Sequence, residues 1–462
     1  MGADQPQAQC SELPGCEEQS DMQGGAETRD VGRNHAGLKA SRRAWMPILV
    51  AVLWLTAAGC SALPAGESFT FVVPPRSAET GSVANLLVIR EGDGNLAVLN
   101  PETGNRTRLT SDASRTVMYG QPVWAPASGR LAWVRSELRG PALRGRVMVA
   151  DTAGNVQLQV ETPLPPFYMY WNPTGTLLSL LGNWSADGVP TIALTMIDTN
   201  SPAAGRPHLW ETGQPFYYAW APDGQRLIVH RDENTVWAGL VEEPRLLTVQ
   251  AAGFGAPVWL AGAGSEEVMY GELRDGVAAL VRANLETAAE EVLTWYQGSH
   301  LALYPNSLGN RLAIVETRDT MAVNAFGPLY VYLLDQGAME QITTLPVMAA
   351  FWSPDGTQLL FWEVDEDGDI GSFHLRVWDD AGMRDLALVT VTPDFLRRYL
   401  VFSDQYALSH TLWSADSRMI AFATRSAAGE NEIYVQDVEA GTRPERVAAG
   451  DLVFWSRQAP AE

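Results

Sequence analysis

The stretch AFWSPDGTQLLFW, residues 350–362, decides the fold. An apolar run ends on Trp352, Ser353-Pro354-Asp355-Gly356 turns the chain, and a second apolar run follows. Proline presets φ at the first corner of such a turn, aspartate bonds its own backbone, and glycine takes the left-handed position without steric cost. Two strand-like runs around that turn read as a β-hairpin. An isolated hairpin is marginal in water, so this one needs neighbours.

Working outward, the same pattern recurs as PVWAPASGRLAWV (122–134), MYWNPTGTLLSLL (169–181), YAWAPDGQRLIVH (218–230) and TLWSADSRMIAFA (411–423). Weaker copies are PVWLAGAGSEEVMYG (257–271) and ALYPNSLGNRLAIVE (302–316), and LVFWS (452–456) is a terminal half-copy. The marker aromatics are Trp124, Trp171, Trp220, Trp259, Tyr304, Trp352, Trp413 and Trp455, separated by 47, 49, 39, 45, 48, 61 and 42 residues. Each alone is an ordinary core aromatic; the signal lies in their register. Spacings of this size suit propeller blades of about 40–50 residues and four strands each.

The segments after the hairpins supply the other two strands. GRVMVADTAGNVQLQVE (145–161), LYVYLLDQGAMEQITTL (329–345) and NEIYVQDVEAGTRPERVA (431–448) each read as strand, turn and strand. At the ends, NLLVIREGDGNLAVLNPETGNRTRLT (85–110) has three strands and no leading aromatic one, whereas LVFWS has only the leading strand. Pairing them completes one blade and removes two exposed sheet edges. The expectation is an all-β, eight-bladed β-propeller of four-stranded antiparallel blades, closed by the N- and C-terminal strands. Seven blades is the alternative, if the copy at Trp259 is not a blade.

The aromatic-Ser-Pro-Asp-Gly-x-x-Leu-x-Phe pattern at 352–361, with Ile433-Tyr434-Val435-Gln436-Asp437, resembles the repeat of TolB-type propellers. It is also similar to the N-terminal propellers of dipeptidyl-peptidase IV and prolyl-oligopeptidase enzymes. The resemblance covers about residues 84–457. It implies a fold and leaves function open, because this scaffold serves many roles.

The N-terminal part has a different character. Residues 1–43 are polar and read as a disordered extension, with Lys39, Arg42 and Arg43 as a basic cluster. The apolar segment 44–59 follows and stops at Cys60, the pattern of a secretory signal. Ala57-Ala58-Gly59 before the cysteine resembles a bacterial lipobox, with alanine at the place where leucine is usual. Initiation at Met22 would give a signal of more ordinary length. The resemblance implies a mature chain that begins at a lipidated Cys60, with residues 60–83 as tether, 84–457 as propeller and 458–462 as tail. The protein is then expected to be exported and lipid-anchored to the cell envelope. Cys10, Cys16 and Cys60 are the only cysteines, so cleavage there leaves one thiol and no internal disulfide.

Charge bounds the partners. The formal net charge of −22 repels phosphates and anionic lipid head groups, so nucleic acid is excluded and the membrane is expected only through the anchor. Catalytic motifs are missing. There is no Gly-x-Ser-x-Gly elbow, no His-Glu-x-x-His and no phosphate loop, and Lys39 is the sole lysine. A propeller-bearing peptidase needs a hydrolase domain, for which the seven residues after Trp455 leave no room. No cofactor or metal is expected. The acidic tip Asp365-Glu366-Asp367-Gly368-Asp369 reads as a solvated turn or a Ca²⁺ loop, with its glycine one place early for an EF-hand.

The 61-residue spacing holds an insert, TPDFLRRYLVFSDQYALSH (392–410). Thr392 and Pro393 open a helix, and Phe395, Leu396, Tyr399 and Leu400 share a face. The insert either packs against the rim or binds a partner. In the second reading Arg397, Arg398, Tyr399, Asp404, Gln405, Tyr406 and His410 form the contact surface, since arginine and tyrosine dominate binding hot spots. The aromatic stretches Phe167-Tyr168-Met169-Tyr170 and Phe216-Tyr217-Tyr218 are further contact candidates. The expected function is a non-catalytic envelope lipoprotein that binds a protein, peptide or glycan. The alternatives are a hydrolase or lyase using channel carboxylates, and a sensor or accessory subunit of an envelope complex.

Overall fold

The computed structural model describes residues 85–457 except 127–128, 187, 202–206, 214–215, 233, 240–244, 249, 252–254, 262–265, 299, 318–325 and 366–370. The extension, signal segment, Cys60 and tether, most of the acidic tip and the tail therefore lie outside the described residues. No helix among the described residues is long and apolar enough to cross a membrane.

The chain runs through successive antiparallel meanders. β1 (Leu87–Glu91), β2 (Leu96–Leu99) and β3 (Arg106–Arg108) come first. β4 (Val117–Trp124), β5 (Arg130–Arg139), β6 (Ala142–Asp151) and β7 (Val156–Thr162) form a four-stranded sheet. So do β8 (Tyr168–Trp171), β9 (Leu177–Ala186), β10 (Val189–Asp198) and β11 (His208–Gly213). A third four-stranded sheet joins β12 (Phe216–Trp220), β13 (Arg226–Arg231), β14 (Asn234–Gly239) and β15 (Arg245–Thr248). The weak copy at Trp259 leads the fourth: β16 (Val258–Trp259), β17 (Glu267–Arg274), β18 (Val277–Asn284) and β19 (Ala289–Tyr296).

Two larger sheets follow from strands that do not stop where the repeat predicts. β20 (His300–Pro305), β21 (Arg311–Thr317), β22 (Gly327–Leu333), β23 (Ala338–Trp352), β24 (Leu359–Val364), β25 (Ser372–Asp379) and β26 (Gly382–Thr390) make one seven-stranded sheet. The 15-residue β23 pairs with β22 through its first part and with β24 through Val347–Trp352. The insert, α1 (Pro393–Arg398), a 3₁₀ turn (Leu400–Phe402) and α2 (Ser403–Ser409), comes next. β27 (Met419–Arg425), β28 (Asn431–Asp437) and β29 (Glu445–Trp455) then join β1–β3 in a six-stranded sheet. β29 pairs with β28 up to Ala449 and with β1 from Gly450 onward, so both ends of the described chain share one sheet. At that bend a Cβ on Gly450 would stand 2.4 Å from the Arg90 carbonyl oxygen. Glycine is required there, and it lets one strand serve two meanders where discrete blades were expected.

The marker aromatics explain how sheets lock face to face. Trp124 donates its indole N–H to Phe454 O (3.4 Å), Trp171 to Val123 O (3.2 Å), Trp259 to Ala219 O (3.0 Å), Trp352 to Tyr304 O (2.8 Å) and Trp413 to Phe351 O (2.9 Å). Trp220 donates to Ser179 Oγ, which donates to Tyr170 O. Each acceptor lies on the leading strand of the preceding meander or is reached through a hydroxyl bonded to it. Trp455, the half-copy marker, is buried and its indole nitrogen has no partner. Burial of such a ring, not its hydrogen bond, supplies most of its worth. The fold is propeller-like: four-stranded antiparallel units packed through their leading strands, with the large aromatics between them.

Candidate functional site

The insert starts where Val391 leaves β26. Thr392 stands at the N-cap position of α1, but its hydroxyl makes no cap bond and donates instead to Asp451 O (2.8 Å). Pro393 opens the helix, as the sequence predicts. Phe395, Tyr399 and Leu400 are buried and Leu396 is half-buried, so the expected apolar face exists. The helix breaks at Tyr399, and α2 resumes after the 3₁₀ turn.

Polar groups of the insert then reach the leading part of one meander after another. Ser403 Oγ donates to Met348 O on β23 (3.1 Å) and accepts from the Tyr304 hydroxyl on β20 (2.7 Å). Asp404 Oδ2 accepts from Ala256 N, just before β16 (3.0 Å). Gln405 clamps β12, donating from Nε2 to Tyr218 O (2.7 Å) and accepting Tyr218 N at Oε1 (2.9 Å). On β8, the Tyr168 hydroxyl accepts from Gln405 Nε2 (3.0 Å) and lies 3.0 Å from Gln405 O. The Tyr406 hydroxyl is 3.0 Å from both Gln121 Oε1 on β4 and Phe167 O. His410 Nε2 faces Pro122 O at 3.1 Å, and a carbonyl only accepts, so Nε2 carries the proton. Nδ1 is then the acceptor for Ser409 Oγ at 2.7 Å. A ring in that tautomer is neutral, and burial pushes its pKa down to about 3.

Charge fastens the other end. The Arg90 guanidinium on β1 grips Asp451 of β29 with two bonds of 2.8 Å and Asp394 of α1 with one of 2.5 Å. Burial alone would raise the Asp394 carboxyl, but Arg90 and Arg398 hold it below the ordinary carboxylate range. Arg457, beyond β29, donates to Leu408 O near the end of α2 (2.7 Å). Asp404 has no such cation among its bonded partners; it accepts only from backbone N–H groups, and burial raises it to about 6.

The rings of the insert stack among themselves and onto the sheets. Tyr399 and Tyr406 lie 4.7 Å apart, Tyr168 and Tyr406 5.0 Å, and His410 and Phe454 4.5 Å. Contacts of this geometry add to plain burial. The insert is a plug across the leading strands.

Five of the seven residues expected to meet a partner are corrected by this geometry. Tyr399, Asp404, Gln405, Tyr406 and His410 are all at most 5% exposed, which leaves almost none of their surface for a partner. Only Arg397 and Arg398 face solvent. Tyr168, Met169, Tyr170, Phe216 and Tyr218 are likewise buried, and Tyr168 and Tyr218 hold the plug; Phe167 alone of these stretches is exposed. Sequence reading missed Arg90 and Asp451, whose carrying motifs look like ordinary turn and strand residues. The clue to the plug was present in the aromatic heads of β8 and β12, which demand a partner inside. Among the described residues no group of three or more His, Cys, Asp or Glu is placed to hold a metal.

No protein-family model matches the chain, and no curated protein matches it in sequence. Solved structures do. A crystal structure of a eukaryotic initiation factor matches at 14% identity with a TM-score of 0.51, over 82% of this chain and 100% of that one. The β-propeller domain of the Trilobed protease from Pyrococcus furiosus matches at 11% identity and 0.45, over 73% and 100%. TolB from Acinetobacter baumannii matches at 12% and 0.38, over 71% and 83%. Identities this low speak to fold alone, and among these three only the initiation factor reaches a TM-score above 0.5.

Proposed function

We propose that this chain is a non-catalytic propeller of eight blades that presents its surface to a protein, peptide or glycan partner. The observation that carries this reading is the plug. Its own side chains occupy the leading strands from β4 to β29, where a channel-borne ligand would have to sit. A hydrolase or lyase working from channel carboxylates needs them open to substrate, whereas Asp404 is buried. The count of eight follows if β23 and β29 are each divided at the bend where they change partners. It gains support from the four-stranded sheet led by Trp259.

Recognition then moves to exposed parts of the same end, and Arg397 and Arg398 are the insert's contribution. Anchoring through lipidated Cys60 would hold the body at the envelope. Replacing Arg397 and Arg398 with glutamate is expected to abolish co-purification of the partner while the melting temperature stays within a few degrees. An unchanged set of co-purifying molecules defeats the surface reading. Cys60→Ala is expected to lose partitioning into detergent; a variant that still partitions, with residues 46–59 intact by mass spectrometry, defeats the anchor.

A further inference from the structure

The chain as a whole is strongly acidic, yet residues 85–163 carry nine arginines against seven carboxylates. The excess has a location. The pairings Arg135↔Arg146↔Glu161 and Glu137↔Arg144 across β5, β6 and β7 put these side chains on one face of the sheet, with Arg139 two places beyond Glu137. Lower on that face, Trp133 and Met148 pack with Leu109 and Ala113 in a common apolar cluster. At the hairpin end of that face Arg135 and Glu137 are mostly covered, while the side chains of Arg139 and Glu161 are 65% and 78% exposed.

The ion pairs at this end do not balance. Glu137 is shared by Arg135 (2.5 Å) and Arg139 (2.9 Å), Arg146 pairs with Glu161 (2.7 Å), and Asp112 takes a second share of Arg135 (3.1 Å). Arg144 is exposed and has no hydrogen-bond or ion-pair partner among the described residues. All of these residues except Asp112 line a cleft of about 320 Å³.

We propose that this cleft binds a small oxyanion group, with Arg144 and Arg139 or Arg146 as the gripping cations. Guanidinium forks match two oxygens of a phosphate or carboxylate at once, which lysine does not. The size of the ligand follows from electrostatics. A long polyanion or an anionic surface meets the repulsion of the whole acidic body, while a small anion inside the cleft feels mainly charges within a screening length of about 8 Å. Phosphate esters and dicarboxylates share this chemistry. The site lies on β5–β7 and owes nothing to the plug, so it stands or falls apart from the surface reading of Arg397 and Arg398.

The test is titration calorimetry on the full-length protein in low salt, with sodium pyrophosphate in one arm and citrate in the other. Saturable binding of at least one is expected, and the preferred arm distinguishes phosphoryl from carboxylate ligands. Arg144→Ala, an exposed position, is expected to weaken it about tenfold or more, the scale of a lost charge-assisted bond. Arg443→Ala, an exposed arginine at a distant turn, is expected to leave binding unchanged. No saturable binding of either probe at millimolar concentrations overturns the proposal. So does an affinity that ignores Arg144→Ala, or one that Arg443→Ala lowers equally.

Discussion

Replacing Asp404 with asparagine probes the plug at its least comfortable point. The carboxylate is buried, accepts from Ala256 N and Gln405 N, and has no cation beside it in its hydrogen-bonded shell. Burial raises its pKa to about 6, against about 3.9 in an unfolded chain. A raised pKa means that the folded state holds this proton more tightly than the unfolded state does. Its contribution is therefore complete below about pH 4 and is lost as pH climbs through about 6, an effect of roughly 2–3 kcal/mol. Asparagine mimics the protonated acid: one oxygen still accepts, and an N–H₂ replaces the hydroxyl. Asp404→Asn should thus stabilise the protein by about 2–3 kcal/mol at pH 8, with the advantage vanishing toward pH 4. Urea midpoints of the two proteins between pH 4 and 8 measure this directly, since groups common to both cancel in the difference. A variant less stable at pH 8, or a difference flat across the range, refutes an uncompensated carboxylate in the plug.

Other perturbations test neighbouring joints. Arg90→Met leaves Asp394 and Asp451 without their shared cation and should cost about 3–5 kcal/mol, with faster hydrogen exchange in both 393–409 and 87–91. Trp455→Ala should cost about 3–5 kcal/mol, and deletion of 450–462 should unfold the body; a truncated chain that melts unchanged rules out closure through β29 and β1. Gly356→Ala puts a Cβ at φ +75° and 2.8 Å from Ser307 Oγ, so thermal melting should show a loss of about 1–3 kcal/mol.

The register of the marker aromatics made most of the fold readable in the sequence, because each hairpin writes its own turn. Pairing of LVFWS with the first strands was also readable, from two complementary fragments. The fusion of meanders at β23 and β29 was not. Pro346 looks like a strand break, yet it sits where β23 changes partner, and a register shift between Val347 and Ala349 absorbs the bend. The insert announced its helix through Thr392 and Pro393 but not its destination. Arg397-Arg398-Tyr399 has the composition of a contact surface, and only three dimensions show the arginines outside and the tyrosine within. RSELRGPALRGR (135–146) went unremarked in sequence, and cross-strand register is what gathers its arginines on one face.

The position of the plug along the chain sets an order of events during synthesis. Residues 393–409 follow every strand from β1 to β26 out of the ribosome. Until they emerge, Tyr168, Tyr218, Ala256, Tyr304 and Met348 can satisfy their inward polar groups only with water, and the aromatic heads of β8 and β12 stay wet. Contacts between residues more than two hundred positions apart, such as Tyr168 with Gln405, then form at the end. Long-range closure of this kind makes folding slow and leaves sticky surface open in the meantime. Because β29 arrives later still, a nascent chain cut short anywhere before residue 450 has neither its last strand nor a finished interior, and proteases meet it in that state.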